Sequence, residues 1–288
     1  MKEEEEIQKL IGNFDGEVCI WAEDEKKNQI QFHENKVVES ASCIKLFILM
    51  EYYRQVYLGI KSQEDRITYQ EEDFIQQGSG ITRFLDFGLT MTSKNWANLM
   101  IMISDNVATN LLIKYLGREH INDTIQQLGL KNTELLVDKI DFALSNQVGK
   151  TTAKEYGLAY KKLQKGEFIN SEVCNQILEV LKKQQETEML TRYLPDSFFK
   201  SQNEDGLIVS IASKCGELSG TEQNYPKRCD NDGGIIETEY GWYIVSVFMQ
   251  DFKLQESYYK NEAVNLGARI NELLLKCFIK NKGSFGEA

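Results

Sequence analysis

Ser42 and Lys45, three residues apart at the head of the apolar run Leu46-Phe47-Ile48-Leu49-Met50, are the pair in this chain best placed by spacing to do chemistry. A serine hydroxyl is a poor nucleophile at neutral pH unless a neighbouring base takes its proton, and a lysine can be that base once its charge is suppressed. Positions i and i+3 share one face of a helix, so the two side chains meet. An ordinary lysine, with a pKa near ~10.4, is protonated at pH 7. Carried into an apolar interior, it is pushed toward the neutral amine. The start of a helix also presents unpaired backbone N–H groups, which favour developing negative charge and can form half of an oxyanion hole.

The pattern Ser-x-x-Lys alone is weak. It occurs again at Ser197/Lys200 and Ser257/Lys260, and each occurrence is equally explained by a serine cap and a lysine stem lying over apolar neighbours. Two further motifs single out Ser42. Ser104-Asp105-Asn106 breaks two helical runs, Trp96/Leu99/Met100/Ile103 before it and Val107/Leu111/Leu112/Tyr115 after it, the second ending at Gly117. Any of the three polar residues can cap the second helix. In a catalytic reading Ser104 relays a proton to a leaving nitrogen, Asn106 offers its amide to substrate and to Lys45, and Asp105 is structural. Lys214-Cys215-Gly216 then continues the apolar run from Leu207 to Ser213. A lysine in such a strand needs a partner or an opening onto a pocket. Gly216 permits close backbone approach, and the N–H of Glu217 can supply a second oxyanion donor. An edge-strand lysine beside a bulge glycine is the plainer alternative.

The elements that must position these groups follow from periodicity. Alternating or apolar runs predict strands at Glu17 to Ala22, Gln29 to His33, Gly206 to Leu218, Gly234 to Glu239 and Trp242 to Gln250. Ile7, Leu10, Ile11 and Phe14 predict an amphipathic first helix, and Val264, Ile270, Leu274 and Phe278 a long last one. Between them the chain reads as helical. This is an α+β pattern: an antiparallel sheet built from both ends of the chain and flanked by helices, with an inserted all-helical region. The expected division is 1–41 with 196–288 as the sheet domain and 42–195 as the insert.

Together the three motifs resemble those of the penicillin-recognising serine hydrolases, most of all the class A β-lactamases with their Ser-x-x-Lys, Ser-Asp-Asn and Lys-Thr-Gly signatures. Gly78-Ser79-Gly80-Ile81, Leu89-Thr90 and the text from Ile103 to Leu112 are also similar. The resemblance runs from about Gly16 to the last helix. It implies a two-part fold in which Ser42, Lys45, Ser104 and Asn106 stand on the helical part and face Lys214 and Gly216 on the sheet. Two departures bear on activity. The stretch Leu130 to Thr152 is short and lacks the family's Glu-x-x-Leu-Asn pattern, so the glutamate that activates the deacylating water is missing; Glu134, Asp138 and Asp141 are the local carboxylates. Cys215 stands where threonine or serine is usual, and a thiol is a weak hydrogen-bond donor.

Composition narrows the setting. The chain has 288 residues, 42% of them hydrophobic, enough for a substantial core. A net charge of −11, from 33 basic and 44 acidic residues, argues against a nucleic-acid or anionic-lipid partner. No stretch approaches the roughly 18 apolar residues of a membrane span. The acidic start, Met1 to Glu6, is unlike a signal peptide; the sequence as it stands predicts a cytoplasmic location, and an exported one if a leader has been trimmed. The six cysteines form no Cys-x-x-Cys pair and there are only two histidines, so neither a metal nor another cofactor is expected. Cys215 and Cys229 flank a segment that reads as a hairpin, which would bring the two thiols toward each other.

The expected function is acylation of Ser42 by a β-lactam or related amide, with Lys45 as base, the N–H groups of Ser42 and Glu217 as oxyanion hole, Ser104 and Lys214 assisting, and Asn106, Lys214, Cys215 and Gly216 binding substrate. The expected partner is a small β-lactam or peptidoglycan-like molecule, taken up by a monomer. Hydrolysis of the acyl-enzyme is expected to be impaired. A D,D-peptidase-like or esterase enzyme using the same serine, a non-catalytic peptidoglycan-fragment binding module, and a glutaminase are the alternatives.

Overall fold

The computed structural model describes residues 2–142, 147–195, 209–218, 228–252 and 261–279. The other Ser-x-x-Lys occurrences, at Ser197/Lys200 and Ser257/Lys260, and the beginning of the run predicted from Gly206 lie outside these residues. The chain divides into two compact units, residues 1–36, 152–161 and 187–288 in one and 37–151 with 162–186 in the other.

The first unit is built on an antiparallel sheet. Its strands β1 (Glu17–Asp24), β2 (Gln29–Phe32), β8 (Val209–Ser213), β9 (Gly216–Leu218), β10 (Arg228–Thr238) and β11 (Gly241–Phe252) are ordered β2-β1-β11-β10-β8, with β9 also paired to β10. Nearly every residue of β1 and β11 is buried, as expected for strands covered on both faces. On one face Ile20, Val245, Val247 and Ile236 pack with Ile7 of α1 (Lys2–Ile11), Leu190 of α8 (Glu188–Thr191) and Ile270 and Leu274 of α9 (Glu262–Ile279). The polar residue in that layer is satisfied: Asn271 of α9 donates to Leu190 O at 2.7 Å and accepts from the Tyr243 hydroxyl at 2.9 Å.

The opposite face meets the start of α6 (Ala153–Gln164), where Tyr156 packs on Phe248 and Gly157 lies over the Trp21 ring. A Cβ on Gly157 would stand 2.1 Å from Trp21 Cε3. Alanine is the better helix former by about 1 kcal/mol, but overpacking a buried ring costs roughly 1–3 kcal/mol. Gly157→Ala is therefore expected to lower the denaturation midpoint, and a rise would show that Trp21 has room to yield.

The second unit is centred on α2 (Lys45–Tyr57), in which Leu46, Phe47, Ile48, Leu49 and Met50 are all fully buried. A helix that is apolar all round must be enclosed. Four helices do this: α3 (Ser93–Met102), α4 (Asn106–Leu116), α5 (Arg118–Gln127) and α7 (Ser171–Leu181). Burying those five side chains is worth on the order of 10 kcal/mol gross. The unit also carries two small antiparallel sheets that apolar periodicity did not disclose, β3 (Val38–Glu39) with β7 (Gly149–Thr151) and β6 (Glu134–Leu135), and β4 (Arg66–Thr68) with β5 (Thr90–Thr92).

Candidate active site

Ser42 sits in a four-residue 3-10 turn, Ala41–Ile44, that runs directly into α2, so Lys45 is the first residue of the α-helix and Ser42 precedes it. The turn is tighter than the α-helical start expected from the sequence. With three residues per turn, positions i and i+3 lie on one side of such a turn, the side that Ser42 shares with the start of α2. Ser42 keeps partial exposure while Ala41, Cys43, Ile44 and Lys45 are buried. Ala41 enters the turn at φ +46°, a conformation that costs an L-residue roughly 1–2 kcal/mol.

Lys45 is held by the second motif. Its Nζ lies 2.7 Å from Ser104 O, 2.9 Å from Ser104 Oγ and 2.7 Å from Asn106 Oδ1. The carbonyl and amide oxygens can only accept, so two N–H bonds are committed to them. The contact with Ser104 Oγ can run either way, since a hydroxyl both donates and accepts. Ser104 has φ +55° in the break between α3 and α4, where both its oxygens reach one nitrogen. Left-handed backbone at two non-glycine residues beside one lysine is the kind of local strain that clusters at functional sites.

Asp105 is a clamp. Its Oδ1 accepts the Ala108 N–H at 2.9 Å and caps α4. Its Oδ2 accepts the N–H groups of Ile81 and Thr82 and the Thr82 hydroxyl at 2.8 to 2.9 Å. The 78–82 loop thereby lies against the motif, and Asn106 N–H donates to Ser79 O at 3.1 Å. Gly78 and Gly80 have φ +107° and +100°, and a Cβ on either would come within 2.4 Å of Asn106 or Asp105. Both conformation and space demand glycine here.

Two residues that sequence reasoning gave no role also shape this region. Asn110, one helical turn after Asn106, brackets Ile140 with Nδ2 donating to its carbonyl at 3.0 Å and Oδ1 accepting its N–H at 2.7 Å. A polar residue on the buried stripe of α4 was the available signal. Glu39 accepts three backbone N–H groups beside the Ser42 turn, and burial pushes its carboxyl up to about 7. Among the loop carboxylates, Glu134 pairs with Lys150 at 2.7 Å and Asp138 with Arg118 at 2.9 Å, while Asp141 is half-buried.

The third motif belongs to the sheet unit. Lys214 is fully buried between β8 and β9, its N–H bonded to Gly233 O and its carbonyl accepting the Tyr156 hydroxyl at 2.6 Å. Its Nζ donates to Cys215 O at 2.8 Å. Cys215 is half-exposed, and Gly216 begins β9 opposite Asn231. Glu217 stands opposite Asp230 with its carboxylate on Arg228. Cys229 faces Leu218, and neither it nor Cys215 is in a disulfide.

Among the described residues no group of three or more His, Cys, Asp or Glu side chains is placed to hold a metal ion, and no helix is long and apolar enough to cross a membrane. A "Beta-lactamase" from Bacillus licheniformis is 29% identical over 130 residues, 43% of this chain and 40% of that relative's length. The crystal structure of a beta-lactamase from Sphaerobacter thermophilus superposes with a TM-score of 0.81 at 26% identity, covering 95% of both chains. PBP-A does so with a TM-score of 0.80 at 18% identity over 97% of both, and a class A beta-lactamase from Mycobacterium abscessus with 0.77 at 18%, over 96% and 98%. The last two likenesses speak for the fold alone. Residues 2–278 match the family model described as the beta-lactamase enzyme family, and the chain belongs to that family.

Proposed function

We propose that this protein is a serine hydrolase that acylates Ser42 with a β-lactam or a related cyclic or D-amino-acid amide. The observation that carries the reading is the seat of the Lys45 side-chain nitrogen, in contact with both oxygens of Ser104 and the amide oxygen of Asn106. In the proposed step the neutral Lys45 amine takes the Ser42 proton as Oγ bonds to the carbonyl carbon. The N–H groups of Ser42 and Glu217 hold the oxyanion. The C–N bond then breaks, and the proton passes from Lys45 through Ser104 to the leaving nitrogen. Asn106, Lys214, Cys215 and Gly216 bind substrate, Lys214 through the substrate's carboxylate.

We further infer slow deacylation. Of the three loop carboxylates, Glu134 and Asp138 hold ion pairs with Lys150 and Arg118, which opposes their turning to activate a water. This favours a penicillin-binding, D,D-peptidase-like balance over rapid β-lactam turnover. Intact-mass measurement after mixing with penicillin G tests both parts. A ring-opened lactam loses no fragment, so the expected adduct equals the whole drug mass, sits on Ser42 and decays over minutes to hours. A folded protein that gains no mass, or gains it equally as Ser42→Ala, refutes the nucleophile; complete hydrolysis within seconds refutes slow deacylation.

A further inference from the structure

We propose that Glu39 is a positioning residue for the nucleophile, holding the strained turn that presents Ser42. The inference rests on the serine-hydrolase reading above. Glu39 Oε1 accepts the N–H of Ala41 at 3.0 Å and those of Val148 and Gly149 at 3.2 Å. One carboxyl oxygen thus ties the left-handed residue preceding Ser42 to strand β7. Ser40 adds to the join, its N–H donating to Gly149 O at 3.0 Å. The contact is close: a Cβ on Gly149 would meet Ser40 Oγ at 2.7 Å and Ile44 Cγ1 at 3.0 Å. Left to itself, Ala41 would relax toward negative φ and swing Ser42 away. Convergent N–H groups on one anion oppose this.

Lys150 is the cross-strand neighbour of Glu39 on β7, with its ammonium on Glu134 of β6. Lys45, six residues on, is engaged by Ser104 and Asn106. Burial is the main influence on Glu39 and raises its carboxyl to about 7, against the pull of the backbone N–H groups. The turn therefore changes its grip near neutrality: ionised Glu39 is the stronger acceptor, and protonation weakens all three bonds. The sign for global stability is opposite. A carboxyl raised above its unfolded value stabilises most below that value, and the contribution is lost as pH rises through about 7.

The test follows acylation by penicillin G between pH 5.5 and 8.5, by stopped-flow or quenched intact mass, in wild type, Glu39→Gln and Glu39→Ala. Wild type is expected to show an acid limb near pH 7. Glutamine keeps a carbonyl acceptor, so its rate should stay within about tenfold of wild type while that limb vanishes. Alanine should lose about 100-fold in the acylation rate constant, as a misplacement of about 1 Å does, with non-covalent affinity unchanged. Thermal melts should favour Glu39→Gln over wild type increasingly from pH 6 to 8. Alanine acylating at the wild-type rate, or a limb shared by wild type and Gln, overturns the proposal. Hydrogen exchange of the 38–45 amides keeps this separate from the enzymatic reading. If penicillin never labels wild type, the function fails; protection at Ala41 that rises with pH in wild type but not in Gln still supports the positioning role, and flat protection in wild type ends it.

Discussion

Lys45→Met is expected to reduce acylation by β-lactams by a factor between about 10² and 10⁴, the usual worth of a general base, while the protein stays folded. Methionine preserves most of the volume in a site with no exposure. It leaves Ser104 O and Asn106 Oδ1 without their donor, a loss of about 1–3 kcal/mol per orphaned buried group. Removal of a buried amine that costs free energy to desolvate offsets part of this. Lys45→Arg is the sharper comparison. Arginine keeps the charge and the donors but cannot be deprotonated at accessible pH. If Lys45 works as a base, the arginine variant fails as badly as methionine; if it only contributes positive charge, arginine retains activity. Stopped-flow acylation of the three proteins, with melts as controls, decides. A methionine variant within tenfold of wild type would remove Lys45 from the chemistry.

The parts of the fold legible in the sequence were those whose side chains repeat with a period. The first and last helices, β1 and the outer half of the β10–β11 hairpin were marked by Ile7, Ile20, Val245, Val247 and Ile270, which now form one core. Strand β10 begins at Arg228, six residues before its apolar run, because Asp230, Asn231 and Asp232 are buried polar residues within it. Asn261 donates to Asp230 and Gln250 to Asn231, both at 2.6 Å, and Gly233 N–H to Asp232 at 2.8 Å. Strands that spend buried positions on such pairs have no alternation to read. The sheets of β3, β6 and β7 escape for another reason, since two or three residues hold no period. The site divides along the same line. Ser42, Lys45, Ser104 and Asn106 are adjacent in short motifs and stood out by spacing. Glu39 and Asn110 act on backbone groups about 110 and 30 residues away in sequence, and no local pattern encodes a partner that only the fold supplies.

The second large effect is expected at Asp105, where helix capping and loop anchoring predict different outcomes. If Asp105 served only as the cap of α4, Asp105→Asn would be nearly neutral, because asparagine caps as well as aspartate. Its Oδ2, however, accepts three donors from Ile81 and Thr82 while Oδ1 takes the Ala108 N–H. An amide presents one acceptor and one donor, so either orientation sets an N–H₂ group against N–H donors in a site only 1% exposed. Asp105→Asn is therefore expected to cost about 2 kcal/mol or more, and Asp105→Ala roughly 3–5 kcal/mol, by the measure of breaking a buried charged network. Urea denaturation with an unchanged m-value measures both. The loss should reach the chemistry as well. The loop that Asp105 anchors also accepts the Asn106 N–H and packs Gly78 against its amide, so the folded variants should acylate more slowly in proportion as Asn106 loosens from Lys45. An asparagine variant of wild-type stability would reduce Asp105 to a cap and leave the loop to be held by the Asn106 N–H on Ser79 O and the close fit of its two glycines.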